Sequence, residues 1–296
     1  MVFFVLLPNV AFKRVPSYHK SVGRGNEAMF LLYLSPGTGK RKQIYVVYFP
    51  DNSAVLRPWI NGVPAVVKEV QMKEIQLIDI KQHILSDNQN LAEELRGRLT
   101  KNKVFMLNVM ASPGAGKTSL IIQAIRRLKT RYRIAVIEGD IDSLVDSEKV
   151  TAEGVTAVQI RTGGDCHLDA AMVDAAIQSI DLNQFDLIFL ENIGNLVCPA
   201  EFDTGAHRRM MILSVPEGDD KILKYPLMFS VCDSLVVNKI DTKCMFDFDT
   251  SRLAARAATL NPKMQIFELS SKTGEGVDAW CAWLEDQIAE VMSSDP

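Results

Sequence analysis

From residue 104 onward, short apolar runs alternate with longer segments in which apolar residues recur at helical spacing. The short runs predict buried strands, and the longer segments predict helices that cover them. Regular alternation of the two predicts an α/β fold with a mostly parallel sheet and helices on both faces. The predicted strands cover residues 104–110, 134–137, 155–160, 187–190, 211–215, 234–237 and 265–267, and the clearest helices cover residues 119–125, 168–180 and 276–292.

Residues 1–71 differ in character from the rest of the chain. They hold nine Lys or Arg against three Asp or Glu, although the whole chain has a net charge of −3. Residues 43–49 are typical of a strand, but no segment shows helical periodicity. The run at residues 35–40 is similar to part of a phosphate-binding loop, yet Arg41 replaces the required Ser or Thr and no helix follows. We therefore assign no function to residues 1–71.

Helical spacing begins at residue 72 and predicts an amphipathic lead-in segment over residues 72–102, ahead of the main domain at residues 103–296. The turn-forming residues at 86–88 predict a break in this helix. The positions that carry the pattern are Ile75, Leu77, Ile80, His83, Ile84, Leu91 and Leu95.

A candidate phosphate-binding loop connects the strand at 104–110 to the helix at 119–125. Its residues are Ser112, Pro113, Gly114, Ala115, Gly116, Lys117, Thr118 and Ser119. The glycines let backbone N–H groups turn inward, and the helix N-terminus adds positive potential. Lys117 is expected to reach the β- and γ-phosphates, and the Thr118 hydroxyl to ligate Mg²⁺. Although Ala111 stands where the strict pattern has Gly, this context predicts the three-layer fold of a P-loop NTPase.

A second motif predicts which nucleotide binds. The strand at 234–237 runs directly into Asn238, Lys239 and, one residue later, Asp241. A carboxylate at that position can accept hydrogen bonds from guanine N1–H and the 2-amino group, a donor pair that adenine lacks. Asn238 is expected to brace the loop and the Lys239 stem to cover the base, which indicates GTP. The run that would cap the guanine oxygen is Ser270, Ser271 and Lys272.

Two acidic residues stand at the carboxyl ends of predicted strands beside this loop. Asp140 follows the strand at 134–137, and Glu191 follows the strand at 187–190. Ligands in such sheets bind beyond the carboxyl ends of the strands, so both acids are expected near Mg²⁺. The alternative is that they cap helices or pair with lysines.

A third group of residues is unusual for a GTP-binding protein. Cys166 and His167 lie in a loop between a predicted strand and helix, and Cys198 follows the strand that ends at Glu191. Thiolate and imidazole suit Zn²⁺ and Ni²⁺. Three ligands fall short of a closed four-ligand site, which a symmetric dimer could complete. The alternative is that the two cysteines are small packing residues.

Composition narrows the class of protein further. The small negative net charge gives no indication of nucleic-acid binding, and the five scattered cysteines are typical of reduced thiols in a cytoplasmic protein. The apolar residues 1–7 are too short to span a bilayer and meet Pro8 at once, so neither a membrane anchor nor a signal peptide is predicted.

From about residue 72 to residue 290, the chain resembles the hydrogenase nickel-insertion GTPases, the HypB family. The Cys-His and Val-Cys-Pro segments are the most specific part of the resemblance. The segments that carry it are Ser112-Pro-Gly-Ala-Gly-Lys-Thr118, Val136-Ile-Glu-Gly-Asp140, Thr162-Gly-Gly-Asp-Cys-His-Leu-Asp169, Leu190-Glu-Asn-Ile-Gly-Asn-Leu-Val-Cys-Pro-Ala-Glu-Phe-Asp203, Lys224-Tyr-Pro226, Asn238-Lys-Ile-Asp241 and Thr273-Gly-Glu-Gly276.

The resemblance implies a GTPase that forms a homodimer across its nucleotide and carries Ni²⁺ or Zn²⁺ at the subunit interface. It also implies delivery of nickel to a [NiFe]-hydrogenase large-subunit precursor, together with the zinc-bearing partner HypA. Asp146 matches an acidic position of the family's first switch segment and is expected to orient the attacking water. The other positions carried over are Cys166, His167 and Cys198 for the metal, Lys117 and Thr118 for phosphate and Mg²⁺, and Asp140 and Glu191 for the acidic strand ends.

The chain departs from the family's pattern in three ways. Ala171 stands where many members have His, and the chain has neither a Cys-x-x-Cys-Gly-Cys motif nor a His-rich tail for nickel storage. Residues 1–71 match nothing in the family and remain an unassigned N-terminal extension, for which the two interpretations are a disordered segment and an over-extended gene start. The competing hypothesis is a GTP-switched accessory protein, of the urease type or another class, whose cysteines are structural. A P-loop kinase of small molecules is disfavoured by the motif that ends in Asp241.

Overall fold

The computed structural model describes residues 28–34, 43–49, 80–140 and 145–294. The chain divides into two compact units, residues 1–78 and residues 79–296. In the first unit, strand β1 (Ala28–Leu34) pairs antiparallel with β2 (Gln43–Phe49), which confirms the strand predicted at 43–49. The loop-like run at 35–40 and the remainder of residues 1–71 lie outside the described residues.

Helix α1 (Ile80–Lys101) is continuous, so the predicted break at residues 86–88 is wrong. The reason is tertiary contact, which outweighs local propensity. The Asn88 side chain donates a 2.8 Å hydrogen bond to the carbonyl of Asp203 and accepts one of 2.8 Å from the backbone N–H of Ala170. Leu95 and Leu99 are fully buried about two and three turns further on. Residues 72–79 of the predicted lead-in segment lie outside the described part.

The second unit contains a seven-stranded sheet in which all neighbouring strands are parallel. Its order, β5-β4-β6-β3-β7-β8-β9, puts β3 at the centre, as expected for an α/β P-loop fold. Each predicted strand is confirmed, with ends that move by up to three residues. The strands are β3 (Phe105–Ala111), β4 (Ile134–Asp140), β5 (Thr156–Arg161), β6 (Leu187–Glu191), β7 (Arg208–Ser214), β8 (Ser234–Asn238) and β9 (Gln265–Glu268).

Helices cover both faces of this sheet. The remaining α-helices are α2 (Lys117–Leu128), α3 (Val145–Ala152), α4 (Ala170–Gln178), α5 (Cys198–Glu201), α6 (Lys221–Lys224), α7 (Pro226–Ser230), α8 (Thr250–Leu260) and α9 (Val277–Ser293). Three short 3₁₀ helices complete the described elements: Leu182–Gln184, Val215–Glu217 and Ile240–Met245. None of the described helices is long and apolar enough to cross a membrane.

The central strand shows how the layers are held together. Every residue of β3 is buried, and its side chains alternate between the two faces of the sheet. Phe105, Leu107 and Val109 pack in one core with residues of α2 and α9, whereas Met106 packs in another with residues of α1 and α4. This arrangement positions the carboxyl ends of β3, β4, β6 and β8 at one edge of the sheet, where a ligand is expected.

Candidate functional site

The loop between β3 and α2 has the backbone that phosphate binding requires. Gly114 and Gly116 have φ angles of 74° and 102°, in the region that favours glycine. A Cβ at Gly116 would lie 2.5 Å from Nδ2 of Asn238, so a larger residue would collide with the loop after β8. Lys117 begins α2, so the loop lies at a helix N-terminus. Ala111, where the strict pattern has Gly, is still part of β3 and is fully buried.

A cleft of about 320 Å³ opens in front of this loop. Pro113, Gly114 and Lys117 line it on one side. The cleft is also lined by the acids predicted at the strand ends and in the first switch segment, which are Asp140, Glu191 and Asp146. Within the loop, Ser112 accepts a backbone hydrogen bond of 3.3 Å from Ala115. The four residues of the predicted catalytic set all line the same cleft: Lys117, Asp140, Asp146 and Glu191.

Glu191 links the strand β6 to the phosphate-binding loop. Its Oε1 accepts a hydrogen bond of 2.9 Å from the Thr118 hydroxyl and lies 4.0 Å from Nζ of Lys117. Burial raises the pKa of Glu191 to about 7, although the nearby Lys117 ammonium acts to lower it. Lys117 compensates the negative charge of the buried Glu191 carboxylate only in part, so the carboxylate favours a cation beside it.

Glu138 is a cleft residue that the sequence analysis missed. It lies opposite Glu191 in the register of β4 and β6 and is only 3% exposed. Burial raises its pKa as well, while a 2.5 Å hydrogen bond from the Ser147 hydroxyl acts to lower it. Neither Oε1 of Glu138 nor Oε2 of Glu191 has a hydrogen-bond partner among the described residues. These two carboxylate oxygens, together with the Thr118 hydroxyl that bonds to Glu191, are oxygen groups of the kind that Mg²⁺ prefers.

The switch acid Asp146 lies in the first turn of α3. It lines the cleft, and its carboxylate forms an ion pair of 2.7 Å with Lys149 on the same helix. Ser147, the next residue, bonds to both Glu138 and Gln159, so α3 is tied to β4 and β5. Residues 141–144, which connect Asp140 to this helix, lie outside the described part.

The loop after β8 is locked to the phosphate-binding loop through Asn238. Its Nδ2 donates 2.9 Å to the carbonyl of Ala115, and its Oδ1 accepts from the backbone N–H groups of Lys239 and Ser271 at 2.8 and 3.0 Å. Lys239 has a φ of 62°, and its ammonium donates 2.7 Å to the carbonyl of Gly114. These bonds brace the loop as the sequence predicted.

Asp241 is oriented by a residue from another loop. The Ser270 hydroxyl, itself fully buried, donates 2.6 Å to Oδ1 of Asp241 and accepts 3.2 Å from the backbone N–H of Thr273. The sequence predicts that Ser270, together with Ser271 and Lys272, caps the guanine oxygen. In addition, the Ser270 hydroxyl fixes the direction of the carboxylate that would recognise guanine. Lys272 is exposed.

The predicted metal ligands come together although 32 positions separate the two cysteines. Cys166 and His167 lie in the loop between β5 and α4, and Cys198 begins α5. The two Sγ atoms are 2.9 Å apart, and Cys166 Sγ lies 4.0 Å from His167 Nδ1. Among the described residues, these three offer ligand atoms that all lie within 4.8 Å of one another. The hydrogen bond to Cys198, followed by burial, raises the pKa of Cys166.

Packing does not account for this cluster. Cys166 is exposed and Cys198 half-buried, whereas Cys232 and Cys281 are buried within the core. The ring of His167 stacks on Phe202 with centroids 3.9 Å apart, which holds the imidazole beside the thiols. The exposure of Cys166 therefore disfavours the alternative that the two cysteines are small buried packing residues.

Comparisons with known proteins identify the family to which the chain belongs. The family model of the CobW/HypB/UreG nucleotide-binding domain matches residues 105–268. The hydrogenase maturation factor HypB of Rhizobium leguminosarum bv. viciae is 44% identical over 218 residues, which are 74% of this chain and 73% of that protein. HypB of Escherichia coli K12 is 41% identical over 216 residues, with 73% and 74% covered. The chain belongs to the HypB family.

A solved structure of the family has the same fold. The crystal structure of HypB from Helicobacter pylori in complex with nickel matches with a TM-score of 0.66 and 36% identity, and covers 71% of this chain and 99% of that one. HypB from Archaeoglobus fulgidus matches with a TM-score of 0.64 and 36% identity, with 69% and 99% covered. The chain is therefore a nucleotide-binding protein of the P-loop class.

Four further residues that line the cleft were absent from the predicted site residues: Gly139, Asn192, Ile193 and Gly194. Asn192 is fully buried directly after Glu191. A Cβ at Gly194 would lie 2.9 Å from Cγ and 3.0 Å from the backbone of Pro113. Glu138, Asn192 and Gly194 all stand in segments that carry the family resemblance. Glu138 has a further signal, because it stands two positions before Asp140 and so shares its face of the strand.

Proposed function

We propose that this chain is a GTPase that binds nickel and delivers it during the maturation of a [NiFe]-hydrogenase. The observation that carries the proposal is the gathering of Cys166, His167 and Cys198, with Cys198 on the segment that continues from Glu191. The relatives' shared name, hydrogenase maturation factor, and the nickel complex of the Helicobacter pylori protein support it. Hydrolysis of the nucleotide in the cleft would provide the free energy for delivery, and the thiol cluster would bind the nickel.

GTP is the proposed nucleotide because of Asp241. Its carboxylate is held by the Ser270 hydroxyl, so it can accept both guanine donors without rearrangement. Adenine lacks both donors, and leaving the half-buried carboxylate without them costs about 1–3 kcal/mol. Asn238 and Lys239 fix the loop to the phosphate-binding loop, so base and phosphate recognition are rigidly connected.

Hydrolysis is assigned to the acids and the lysine of the cleft. Lys117 would offset negative charge on the β- and γ-phosphates, and Asp146 would orient the attacking water. Thr118, Asp140 and Glu191 would hold Mg²⁺, which neutralises charge on the transferred phosphoryl group when bound. The Asp146 carboxylate already lines the cleft, so a water between it and the γ-phosphate needs no large movement of α3.

Three ligands suit nickel or zinc but leave the coordination incomplete. A homodimer formed across the nucleotide would bring a second set of Cys166, His167 and Cys198 to the same place. GTP binding would then favour the dimer, and hydrolysis would release the cargo. We assign the acceptor as a hydrogenase large-subunit precursor and the zinc-bearing partner as a HypA-type protein. Five free cysteines in the described residues fit a reducing compartment, the cytoplasm.

The test is metal analysis of the purified protein and nickel titration with Mg²⁺ and either GDP or a non-hydrolysable GTP analogue. Cys198→Ala should remove most nickel binding while GTP binding stays near that of the parent. Cys244→Ala is the matched control, because Cys244 is an exposed cysteine outside the cluster. Nickel binding that Cys166→Ala and Cys198→Ala both leave intact would favour the competing hypothesis of a GTP-switched accessory protein with structural cysteines.

Hydrolysis has a separate test. Lys117→Ala should abolish phosphate release from GTP and leave the fold intact, because the lysine lies at the cleft and not in the core. Lys129→Ala, at the opposite end of α2, is the control and should release phosphate at the parent rate.

A further inference from the structure

Leu168, the residue directly after His167, is anchored to the two strand ends that line the nucleotide cleft. Its side chain is fully buried. Its backbone N–H donates a hydrogen bond of 3.2 Å to Oδ1 of Asn192, the residue after Glu191. On the other side it packs so closely on Gly139 that a Cβ there would lie 2.7 Å from Leu168 Cδ1. The loop that bears Cys166 and His167 therefore rests on the ends of β4 and β6.

Asn192 is held firmly in the position from which it bonds to Leu168. Its backbone N–H donates 3.0 Å to the carbonyl of Val109, and its Nδ2 donates 3.2 Å to Oδ1 of Asn108 on β3. Its Oδ1 also accepts 2.9 Å from the N–H of Ile193. Breaking the hydrogen bonds of a buried amide costs more free energy than breaking those of an exposed one, because water cannot replace the lost partners. Movement of the end of β6 would therefore carry Leu168 with it.

The same segment contacts the thiol cluster at its far end. Asn195 donates 3.1 Å from Nδ2 to the carbonyl of Cys166 and accepts 2.9 Å from the N–H of Val197, directly before Cys198. Gly194, midway, lies against Pro113 of the phosphate-binding loop. Three connections thus run from the cleft to the cluster: one through the chain to Cys198, one through Asn195 to the carbonyl of Cys166, and one through the side chain of Asn192 to Leu168, the residue after His167.

We propose that Asn192 is the positioning residue that transmits the nucleotide state to the nickel ligands, by holding Leu168 to the strand that ends in Glu191. The inference rests on the proposed function, since it presumes that nickel binds at this cluster. When the contacts at Glu191 change with the γ-phosphate, the amide moves the loop of Cys166 and His167 relative to Cys198. By linkage, nickel and the γ-phosphate then alter each other's binding by the same factor.

The measured quantity is the ratio of the Ni²⁺ dissociation constants in Mg²⁺-GDP and in a Mg²⁺-bound non-hydrolysable GTP analogue. For the parent we expect a ratio that differs from one by about fivefold or more. Asn192→Ala removes the acceptor for Leu168 and should bring the ratio to within about twofold of one, while nickel still binds in both states. Asn192→Asp keeps an oxygen acceptor towards Leu168 in either protonation state and should restore the ratio.

Asn108→Ala is the matched control. It removes a buried amide from the same network but leaves the bond between Asn192 and Leu168, so the parent ratio should persist. Gly139→Ala places a methyl group against Leu168 on the side opposite Asn192 and should also reduce the ratio. This second variant tests the proposal if Asn192→Ala does not fold. Melting temperature and far-UV circular dichroism confirm that each variant is folded.

The outcomes separate the inference from the function on which it rests. A parent ratio retained in Asn192→Ala, or lost equally in Asn192→Ala and Asn108→Ala, overturns the role of Asn192 and leaves nickel binding in place. A parent that binds nickel equally in both nucleotide states overturns the inference alone. A parent that binds no nickel overturns the proposed function together with the inference.

Discussion

The Thr118 hydroxyl donates a hydrogen bond of 2.9 Å to Oε1 of Glu191, which joins the phosphate-binding loop to the end of the neighbouring strand. Each of the two residues is a candidate Mg²⁺ ligand, and Oε2 of the carboxylate has no partner among the described residues. The bond therefore holds two ligand groups in place before the ion arrives. Such preorganisation lowers the cost of assembling the site.

Glu191→Gln tests this arrangement. The amide oxygen still accepts the Thr118 hydroxyl, but the negative charge is gone, so we expect GTP hydrolysis to fall by at least about 100-fold. Phosphate release measured over a series of Mg²⁺ concentrations would show a weaker dependence on the ion than in the parent. Nucleotide binding in the presence of EDTA should be unaffected. Unchanged Mg²⁺ dependence would exclude Glu191 from the ion's ligands.

Asp241→Asn tests the assignment of guanine. The substitution places an amide donor opposite a guanine donor, and we expect GTP binding to weaken by about 1–3 kcal/mol. Xanthosine triphosphate carries an oxygen in place of the 2-amino group, so its binding to the variant should strengthen. Calorimetric titration of both nucleotides measures the change. The assignment is wrong if the variant and the parent bind GTP equally.

His207 predicts a feature of acid stability. Its Nδ1 accepts the backbone N–H of Met106 at 3.1 Å, and its Nε2 lies 3.0 Å from the Thr100 hydroxyl, so the neutral ring is the one that fits. Burial, followed by the charges of Arg96 and Arg208, lowers the pKa of His207 to about 4. The unfolded chain takes up this proton near pH 6.5, and the folded chain only near pH 4.

The stability that the neutral imidazole contributes is therefore fully present above about pH 6.5 and is lost as the pH falls towards 4. The loss should be on the order of 3 kcal/mol. His207→Asn keeps an acceptor for Met106 but cannot titrate, so its free energy of unfolding should fall less steeply over this range. Urea denaturation at a series of pH values gives both curves. Parallel curves for parent and variant would contradict the prediction.

Residues 1–71 should be dispensable, and helix α1 should not. A chain that starts at Met72 should keep its melting temperature, GTPase activity and metal stoichiometry. A chain that starts at Lys103 loses Leu95 and Leu99, two fully buried leucines, and we expect it to be destabilised by several kcal/mol. Thermal denaturation of both truncated chains provides the measurement. A large loss of stability on removing residues 1–71 alone would show that they are integral to the protein.

The amino-acid sequence determined those features whose physical cause is local. Gly114 and Gly116 could be predicted because a loop that turns its N–H groups inward needs left-handed backbone there, and both residues adopt it. The position of Asp241 just beyond the end of a buried strand could be predicted, because the motif and that strand are contiguous in the chain. The parallel sheet could be predicted from the alternation of apolar runs and helical segments, because the apolar residues of each strand themselves indicate that the strand is buried.

Tertiary structure alone decided the features that depend on residues distant in the chain. Cys166 and Cys198 come to 2.9 Å only because β5 and β6 end at the same edge of the sheet. Glu138 and Asn192 stand within segments shared with the family, but their contacts come from partners on other strands, helices and loops. The residues at 86–88 stay helical because Asn88 bonds to two distant backbone groups, and this tertiary gain exceeds the local preference for a turn.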